Sequence, residues 1–480
     1  MKDNKKVFSG VIWRFGQVFG AQAVSLIVSI ILARLLEPEV YGTIALVTVI
    51  VTVLQVFVDS GLGVSLVQKK DSDELDFSSV FYFNLAMCAV LYILIFLAAP
   101  YIARFYEIEE LCGVVRVISL TLIIYGVKGI QQTYVAKHYL FKKMFLATLI
   151  GNLGGAAVGI AMAYLGFGVW ALVAQSLVNA GLDTLLLWIM IEWRPRAMFS
   201  FTRLRTLLAY GWKLLASNLL ETLYNNLCAL IIGKKYSEES LAFYNRGRQF
   251  PNLSAYIVNS SVDYVVFAAI AEEQNDRERV LAMTRRSVGI SSYLMWPVTV
   301  GMAACAEPFV RVLLTDKWLP CMPYMRLFCL IYAFYPVYTA TLNAIKAVGR
   351  SDMFLWLELS RKFIGLGLII LSVRYGIMAM VIAELAASLI SMAINSVPSK
   401  KLLDYGLVSQ LGDILPSMLL SFFMGFCVWS VQLLGLSDIL TLFVQIVLGV
   451  AVYTAMSALF RLDSFRYLLG VAKRLVKRSA

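Results

Sequence analysis

Residues 40–66 read VYGTIALVTVIVTVLQVFVDSGLGVSL, an apolar stretch long enough to cross a lipid bilayer as one helix. A spanning helix needs about 20 predominantly apolar residues, because its backbone polar groups must be satisfied within the segment. Similar stretches recur along the whole 480-residue chain, and 60% of all residues are hydrophobic. No gap between them is long enough for a soluble domain. The sequence therefore predicts an all-α polytopic membrane protein.

We predict about fourteen transmembrane helices and place them by their apolar runs. The interpretation of 144–192 as two helices depends only on the turn Gly166-Phe167-Gly168. The predicted spans are 8–33, 40–66, 77–103, 111–136, 144–165, 168–192, 206–233, 240–270, 287–314, 321–345, 353–373, 376–397, 411–434 and 437–460.

Lys and Arg residues concentrate in alternate loops and explain most of the net charge of +12. Basic residues mark cytoplasmic loops, and one of the opposite loops carries Glu107, Glu109 and Glu110. We therefore predict a multi-pass protein of the bacterial inner membrane with both termini cytoplasmic, and no nucleic-acid partner. The basic loop and tail residues are Lys2, Lys5, Lys6, Lys69, Lys70, Lys137, Lys142, Lys143, Arg194, Arg196, Arg203, Arg205, Arg277, Arg279, Arg285, Arg286, Lys400, Lys401, Lys473, Arg474, Lys477 and Arg478.

The residues that usually carry metal or acid–base chemistry are scarce. Seven cysteines form no CxxC pair, and His138 is the only histidine, so we expect no metal, no cofactor and no catalytic residue. Asp71-Ser72-Asp73 matches the DxD pattern of glycosyltransferases, but no α/β domain surrounds it, so a solvated loop is the preferred interpretation. Gly151, Gly155 and Gly159 form overlapping GxxxG motifs, which indicate close helix packing.

The chain also contains an internal similarity at an offset of 200 residues. The two similar segments are residues 30–39 and 230–239. In each, an apolar helix ends with a cation, an acidic turn follows, and another helix begins. This predicts two six-helix lobes of equal orientation, 1–198 and 199–400, around a central cavity. An additional helix pair and a basic cytoplasmic tail would occupy 401–480. Repeats of this kind place substrate between the two halves and permit alternating access.

Polar residues inside the predicted spans cost about 2.5–3.5 kcal/mol each when ionisable, so each needs a reason. We expect them to line a water-filled cavity in which cations attract an anion. The alternative, which stays open, is that the long side chains of Arg14 and Lys213 only extend (snorkel) to the membrane–water interface. The candidate substrate-binding residues are Arg14, Gln17, Gln22, Lys128, Lys213, Asn218, Asn225, Asn252, Tyr256 and Asn259. The candidate ion-coupling residues are Asp59, Glu221, Asp263 and Glu384.

Four short stretches resemble bacterial polysaccharide exporters, the oligosaccharide-lipid flippases of the multidrug/oligosaccharidyl-lipid/polysaccharide superfamily. The most specific are ARLLEPEVYG at 33–42 and DSGLGVSLVQ at 59–68. The others are GFGVWALV at 166–173 and GRSD at 349–352. Together they cover both halves of the chain, and they are most similar to the branch that exports colanic-acid-type and teichuronic-acid-type repeat units.

The resemblance implies a flippase that moves an undecaprenyl-pyrophosphate-linked oligosaccharide across the cytoplasmic membrane by alternating access. Arg14 and Lys213 stand where such flippases hold the pyrophosphate. The implied partners are the polyprenyl-pyrophosphate-linked oligosaccharide, the lipid bilayer, and the polysaccharide polymerase or export machinery. The alternatives are a drug/cation antiporter of the same superfamily, a membrane-embedded glycosyltransferase or ligase acting on the same lipid carrier, and a scaffold for polymerase assembly.

Overall fold

A computed structural model describes residues 2–59, 61–69, 71–272, 276–348 and 350–470. These residues form helices joined by short turns, with no β-strand among them. Two short 3-10 helices occupy Asp316–Cys321 and Val431–Leu434. The α-helices are α1 Lys2–Leu35, α2 Pro38–Asp59, α3 Leu62–Gln68, α4 Glu74–Tyr106, α5 Glu110–Ile118, α6 Leu120–His138, α7 Phe141–Tyr164, α8 Val169–Met190, α9 Phe201–Lys235, α10 Glu238–Glu272, α11 Arg277–Ala304, α12 Ala306–Leu314, α13 Met322–Ala333, α14 Tyr335–Ala347, α15 Ser351–Ser372, α16 Ile377–Leu403, α17 Leu407–Ser430 and α18 Asp438–Leu459.

Each predicted span coincides with one helix or with two consecutive helices. Within the described residues, nine helical stretches are long and apolar enough to cross a membrane. The number is ten if α11 and α12, which are bent by 74° relative to each other, form one span. The prediction of an all-α multi-pass membrane protein is confirmed. The number of fourteen spans stays a prediction.

The turn that separates α7 from α8 confirms the two-helix interpretation of 144–192. α7 ends at Tyr164 and α8 begins at Val169, with Gly166 and Gly168 between them. Their φ angles are 79° and 53°, a region that is sterically unfavourable for residues with a side chain. Two glycines close together therefore end one helix and begin the next within a few residues.

The chain forms two compact units, residues 1–242 and 243–480. α9 and the first residues of α10 belong to the first unit, and α10 continues into the second. The predicted lobes 1–198 and 199–400 and the added pair 401–480 were defined by repetition in the sequence. Those boundaries stay a prediction.

Close packing of α7 on α8 organises part of the first unit. A Cβ atom added to Gly151 would lie 2.9 Å from the Asp183 Cβ atom, and one added to Gly155 would lie 2.7 Å from the Gln175 carbonyl oxygen. One added to Gly159 would lie 2.8 Å from the Gln175 Cβ atom. Such distances are too short for a side chain, so the glycines let the two helices approach each other. The packing role predicted for this motif is confirmed.

α11 lies at the centre of the second unit and contacts α13, α14 and α17. Its Trp296 is fully buried and makes an edge-to-face contact with Phe334, at 5.1 Å between ring centroids. The C-terminal pair α17 and α18 packs against the same region. A Cβ atom on Gly425 would lie 2.6 Å from Val300, and the Tyr453 hydroxyl donates a hydrogen bond to the Tyr293 carbonyl oxygen at 2.9 Å. The C-terminal helices are therefore an integral part of this unit.

Candidate functional site

The predicted substrate-binding amides of the first unit differ in exposure. Gln17 on α1 is buried, whereas Gln22 on the same helix is exposed. On α9, Asn218 and Asn225 are exposed, and Glu221 is half-buried. The Asn225 amide donates a hydrogen bond to the Glu221 carboxylate at 3.0 Å, one helical turn away. α9 therefore carries adjacent amide and carboxylate groups, the types that bind sugar hydroxyls and cations.

Five other candidates lie on described helices, but their side chains lie outside the described part of the structure. Arg14 belongs to α1, Lys213 to α9 and Asp59 to the last turn of α2. Asn259 and Asp263 belong to α10. Pyrophosphate binding by Arg14 and Lys213, and ion coupling through Asp59 and Asp263, therefore stay predictions.

Lys128, another predicted substrate-binding residue, forms a buried ion pair in the first unit. Its ammonium on α6 lies 2.5 Å from the Asp183 carboxylate on α8, and both side chains are almost inaccessible. Asp183 was not among the predicted site residues, although its position inside the predicted span 168–192 was a signal for it. Because a buried charge needs a partner, each residue of this pair stabilises the charge of the other.

The two turns related by the 200-residue offset contact each other in the first unit. α1 and α9 end at residues 35 and 235, and α2 and α10 begin at residues 38 and 238. A Cβ atom on Gly42 would lie 2.0 Å from the Glu238 carbonyl oxygen, and one on Gly233 would lie 2.3 Å from a Leu46 methyl group. The Thr43 hydroxyl donates a hydrogen bond to the Glu238 carboxylate. The similarity found in the sequence thus corresponds to two matching turns that pack together through glycines.

Ion pairs hold both ends of α9 within the same unit. Near its C-terminus, the Lys234 ammonium donates a hydrogen bond to the Glu107 carboxylate at 2.9 Å, which lowers the pKa of Glu107. Near its N-terminus, Arg203 Nη1 lies 2.6 Å from Asp73 Oδ2 and 3.4 Å from Asp76 Oδ1. α9 is therefore connected by charged groups to both ends of α4.

The DxD sequence marks the start of α4. The Asp76 amide donates a hydrogen bond to the Asp73 carboxylate at 3.0 Å, and the Asp73 amide donates one to Asp76 at 3.2 Å, which forms a capping box. Burial raises the pKa of Asp73, but the Asp76 amide and the Arg203 guanidinium outweigh it and lower that pKa. Among the described residues, no group of three or more His, Cys, Asp and Glu side chains is arranged to hold a metal ion. Asp73 therefore caps a helix.

His138 and the cysteines make ordinary local contacts. The His138 ring stacks on Tyr134 at 4.0 Å between centroids, and its Nδ1 atom lies 2.9 Å from the Tyr134 carbonyl oxygen. All seven cysteines are free thiols, and most of them are buried. These contacts explain the residues as parts of the helical packing.

In the second unit, α10 contributes hydrogen-bonded groups that include the predicted candidate Glu384. The Tyr244 hydroxyl donates a hydrogen bond to the Glu384 carboxylate on α16 at 2.6 Å. Arg248 Nε donates one to the Tyr332 hydroxyl on α13 at 3.2 Å. Two arginines on this helix, Arg246 and Arg248, were missed by the sequence analysis. Their position inside the predicted span 240–270 was the signal that could have identified them.

Arg246 and the two remaining α10 candidates have different surroundings. The buried Arg246 guanidinium lies 4.8 Å from the centre of the Trp318 ring and donates a hydrogen bond to Gln249 at 2.7 Å. Asn252 and Tyr256, further along the helix, are exposed. The start of α10 is therefore a buried basic and aromatic segment, and polar side chains become accessible after it.

A second charged group lies between α14 and α15. The Tyr338 hydroxyl donates a hydrogen bond to the Glu358 carboxylate and accepts one from Arg361 Nη1. The Arg361 guanidinium also lies 4.9 Å from the centre of the Tyr338 ring. This group was not predicted, although Glu358 and Arg361 lie inside the predicted span 353–373.

The helical fold is shared with multi-pass membrane proteins of known structure. A lipid II flippase MurJ in an inward closed conformation matches it with a TM-score of 0.78, covering 96% of this chain and all of that chain at 16% identity. An inward-facing multidrug resistance MATE transporter of the MOP superfamily matches with a TM-score of 0.61. That match covers 80% of this chain and 95% of the other at 15% identity. At these identities the likeness concerns the fold alone.

The chain belongs to a family described as polysaccharide biosynthesis proteins, whose sequence profile matches residues 31–323. It is 25% identical to the succinoglycan biosynthesis transport protein ExoT of Rhizobium meliloti, over 74% of this chain and 72% of ExoT. It is 24% identical to the teichuronic acid biosynthesis protein TuaB of Bacillus subtilis, over 63% of each chain. The lipopolysaccharide biosynthesis protein WzxC of Escherichia coli is 21% identical over 83% of this chain and 81% of WzxC. The predicted family and the expectation of a transporter, not an enzyme, are confirmed.

Proposed function

We propose that this protein is a flippase for a polyprenyl-pyrophosphate-linked oligosaccharide used in surface polysaccharide biosynthesis. The observation that carries the proposal is the family match over most of the chain, together with a fold shared with a lipid II flippase. Relatives named for succinoglycan transport and lipopolysaccharide biosynthesis support the same class of cargo. The protein translocates the lipid-linked repeat unit between leaflets without chemical change.

The role proposed for each polar side chain follows from its chemistry. Arg14 and Lys213 hold the pyrophosphate, since cations bind phosphate oxygens through charge-assisted hydrogen bonds. The sugars contact amide and hydroxyl groups such as Asn218, Asn225 and Tyr256, while the polyprenyl tail remains in lipid. The two six-helix lobes expose this site to each side of the membrane in turn.

Coupling to an ion gradient is proposed for the intramembrane carboxylates. Glu384 accepts a hydrogen bond from Tyr244, and Glu221 accepts one from Asn225. Carboxylates bind protons and sodium ions, and each of these two is positioned by a neutral hydrogen-bond donor. Asp59 and Asp263 complete the proposed set. The charge distribution supports an orientation in the bacterial inner membrane with both termini cytoplasmic.

An export assay in cells that lack their own flippase tests the function and the pyrophosphate site together. The wild-type chain should restore surface polysaccharide, whereas Arg14→Ala and Lys213→Ala should lower export at least tenfold and accumulate lipid-linked repeat units inside. Each lost hydrogen bond to a charged group is worth about 1.5–3 kcal/mol, which corresponds to that factor.

The matched controls separate charge from position and expression. Arg14→Lys and Lys213→Arg retain the charges and should retain most of the export. Arg277→Ala removes an exposed cation at the start of α11 and should leave export unchanged. Failure of a well-expressed wild-type chain to restore export would contradict the flippase proposal. Full export by both alanine variants would show that these two cations only snorkel.

A further inference from the structure

Three tyrosines form a continuous row along α13 and α14 in the second unit. Tyr332, Tyr335 and Tyr338 are spaced three residues apart, which places them on one side of a helical segment. The Tyr332 and Tyr335 ring centroids are 6.2 Å apart, and those of Tyr335 and Tyr338 are 6.0 Å apart. Phe328 extends the row, 6.3 Å from Tyr332. We call Tyr332, Tyr335 and Tyr338 the tyrosine row.

Both ends of the tyrosine row contact charged groups. At one end, Arg248 donates a hydrogen bond to the Tyr332 hydroxyl at 3.2 Å. At the other end, Tyr338 lies between Glu358, to which it donates, and Arg361, from which it accepts. Arg361 and Glu358 carry opposite charges, and their side chains are 23% and 17% exposed. At this end, the aromatic rings of the row therefore lie beside two hydrogen-bonding groups whose charges offset each other.

The exposure of these groups within predicted membrane spans indicates a polar environment. A charged side chain in contact with hydrocarbon is unfavourable by several kcal/mol, so partly exposed Glu358 and Arg361 side chains belong on a surface that water or a polar ligand reaches. Tyr335 is 38% exposed and lies between two largely covered tyrosines. Its ring is therefore the accessible part of the row.

From this arrangement, which goes beyond the flippase function on which it rests, we propose that the tyrosine row binds a neutral pyranose ring of the cargo. The axial C–H groups of a pyranose form an apolar face that packs on an aromatic ring, here Tyr335. Its hydroxyl groups are donors and acceptors for the Glu358 carboxylate and the Arg361 guanidinium. An aromatic surface with a few oriented polar groups is the usual composition of a small-ligand site.

The balance of charge determines the type of sugar. Arg361 is paired with Glu358, with 3.9 Å between guanidinium and carboxylate atoms, so the charge of this arginine is already offset and is less available to a uronate carboxylate. A neutral hexose needs no such cation. The row is thus a sugar subsite that is separate from the pyrophosphate site assigned to Arg14 and Lys213.

Equilibrium binding of two lipids to the purified full-length chain in lipid nanodiscs tests the subsite. The probes are undecaprenyl pyrophosphate and undecaprenyl pyrophosphate carrying a neutral glucose trisaccharide, titrated by native mass spectrometry. The wild-type chain should bind the trisaccharide lipid about fivefold more tightly than the sugarless lipid, the magnitude expected for one aromatic stacking contact. Tyr335→Ala should lose this preference while its Kd for the sugarless lipid remains unchanged.

Two matched variants control for loss of structure and for non-specific effects. Tyr335→Phe retains the ring and should retain the sugar preference. Tyr375→Ala removes another tyrosine of the second unit, 81% exposed, and should also retain it. Equal wild-type binding of both lipids, or a full sugar preference in Tyr335→Ala, would overturn the subsite and leave the flippase function standing. Failure of the wild-type chain to bind either lipid would instead overturn the flippase function.

Discussion

A lysine and an aspartate buried in the first unit show how a single residue's role depends on its neighbour. Lys128 and Asp183 are 55 positions apart in sequence, yet their charged atoms are 2.5 Å apart. Asp183 Oδ1 has no hydrogen-bond partner among the described residues, so Lys128 supplies much of the stabilisation of this carboxylate. An anionic substrate would therefore compete with Asp183 for Lys128.

Removing one member of this pair should destabilise the protein more than replacing both. Lys128→Ala leaves a buried carboxylate uncompensated and should reduce the free energy of unfolding by about 3–5 kcal/mol. The double change Lys128→Met with Asp183→Leu should be much milder, because apolar side chains of similar size need no partner. Thermal unfolding of the detergent-solubilised variants measures the difference.

The comparison of single and double variants also decides the role of Lys128. Unfolding temperatures of Lys128→Ala and Asp183→Asn equal to that of the wild type would contradict a structural ion pair. If Lys128→Ala had near-normal stability but lost export, Lys128 would instead be a substrate-binding residue. A stable double variant that still exports would establish that the pair serves folding alone.

At the scale of the elements, glycines determine how closely the helices approach each other. Because Gly42 has no side chain, the start of α2 lies against the start of α10. Gly233 likewise leaves room on α9 for the Leu46 side chain. The stretch around Gly42 is also one of those that resemble polysaccharide exporters. A residue with a side chain at position 42 is incompatible with the observed distance to the Glu238 backbone.

Gly42→Ala should therefore separate the two turns and destabilise the first unit. The added Cβ atom would lie 2.0 Å from a backbone oxygen, which cannot move aside as a side chain can. Overpacking of this kind typically costs about 1–3 kcal/mol, so we expect a lower unfolding temperature and weaker export. The measurements are thermal unfolding and the export assay described above.

Gly181→Ala is the matched control in the same unit. Gly181 lies within α8, and a Cβ atom there meets no atom within 4 Å. Because alanine favours helix over glycine by about 1 kcal/mol, this variant should be as stable as the wild type or slightly more stable. Equal behaviour of the two alanine variants would contradict the importance of the close approach at Gly42.

At the scale of the whole molecule, the distribution of charge determines orientation in the membrane. Loops rich in Lys and Arg alternate with loops that are poorer in them, and the segment at 107–110 contains three glutamates. Positively charged loops remain on the cytoplasmic side during insertion. We therefore expect these charges to set the direction in which the helices are inserted.

Reporter fusions test this orientation directly. Alkaline phosphatase, which is active only outside the cytoplasm, should be active when fused after Glu109 and inactive when fused after Ala480. Green fluorescent protein at the C-terminus should be fluorescent. An active phosphatase at the C-terminus would place the tail outside and contradict the predicted topology.

The sequence by itself determined the membrane class, the positions of the helices and the turn between α7 and α8. Each of these depends on local composition, because a run of apolar residues or a pair of glycines acts on its own segment. The helix ends predicted at 33 and 233, and the helix starts predicted at 40 and 240, lie within two residues of the observed ones for the same reason.

Only the tertiary structure decided which distant residues meet. The Lys128–Asp183 pair, the approach of Gly42 to Glu238, and the contact of Tyr338 with Arg361 each join different helices. Periodicity predicts which face of a helix is polar, but not which neighbour covers that face. That choice follows from the packing of many side chains at once, and the spacing of residues along one helix does not contain it.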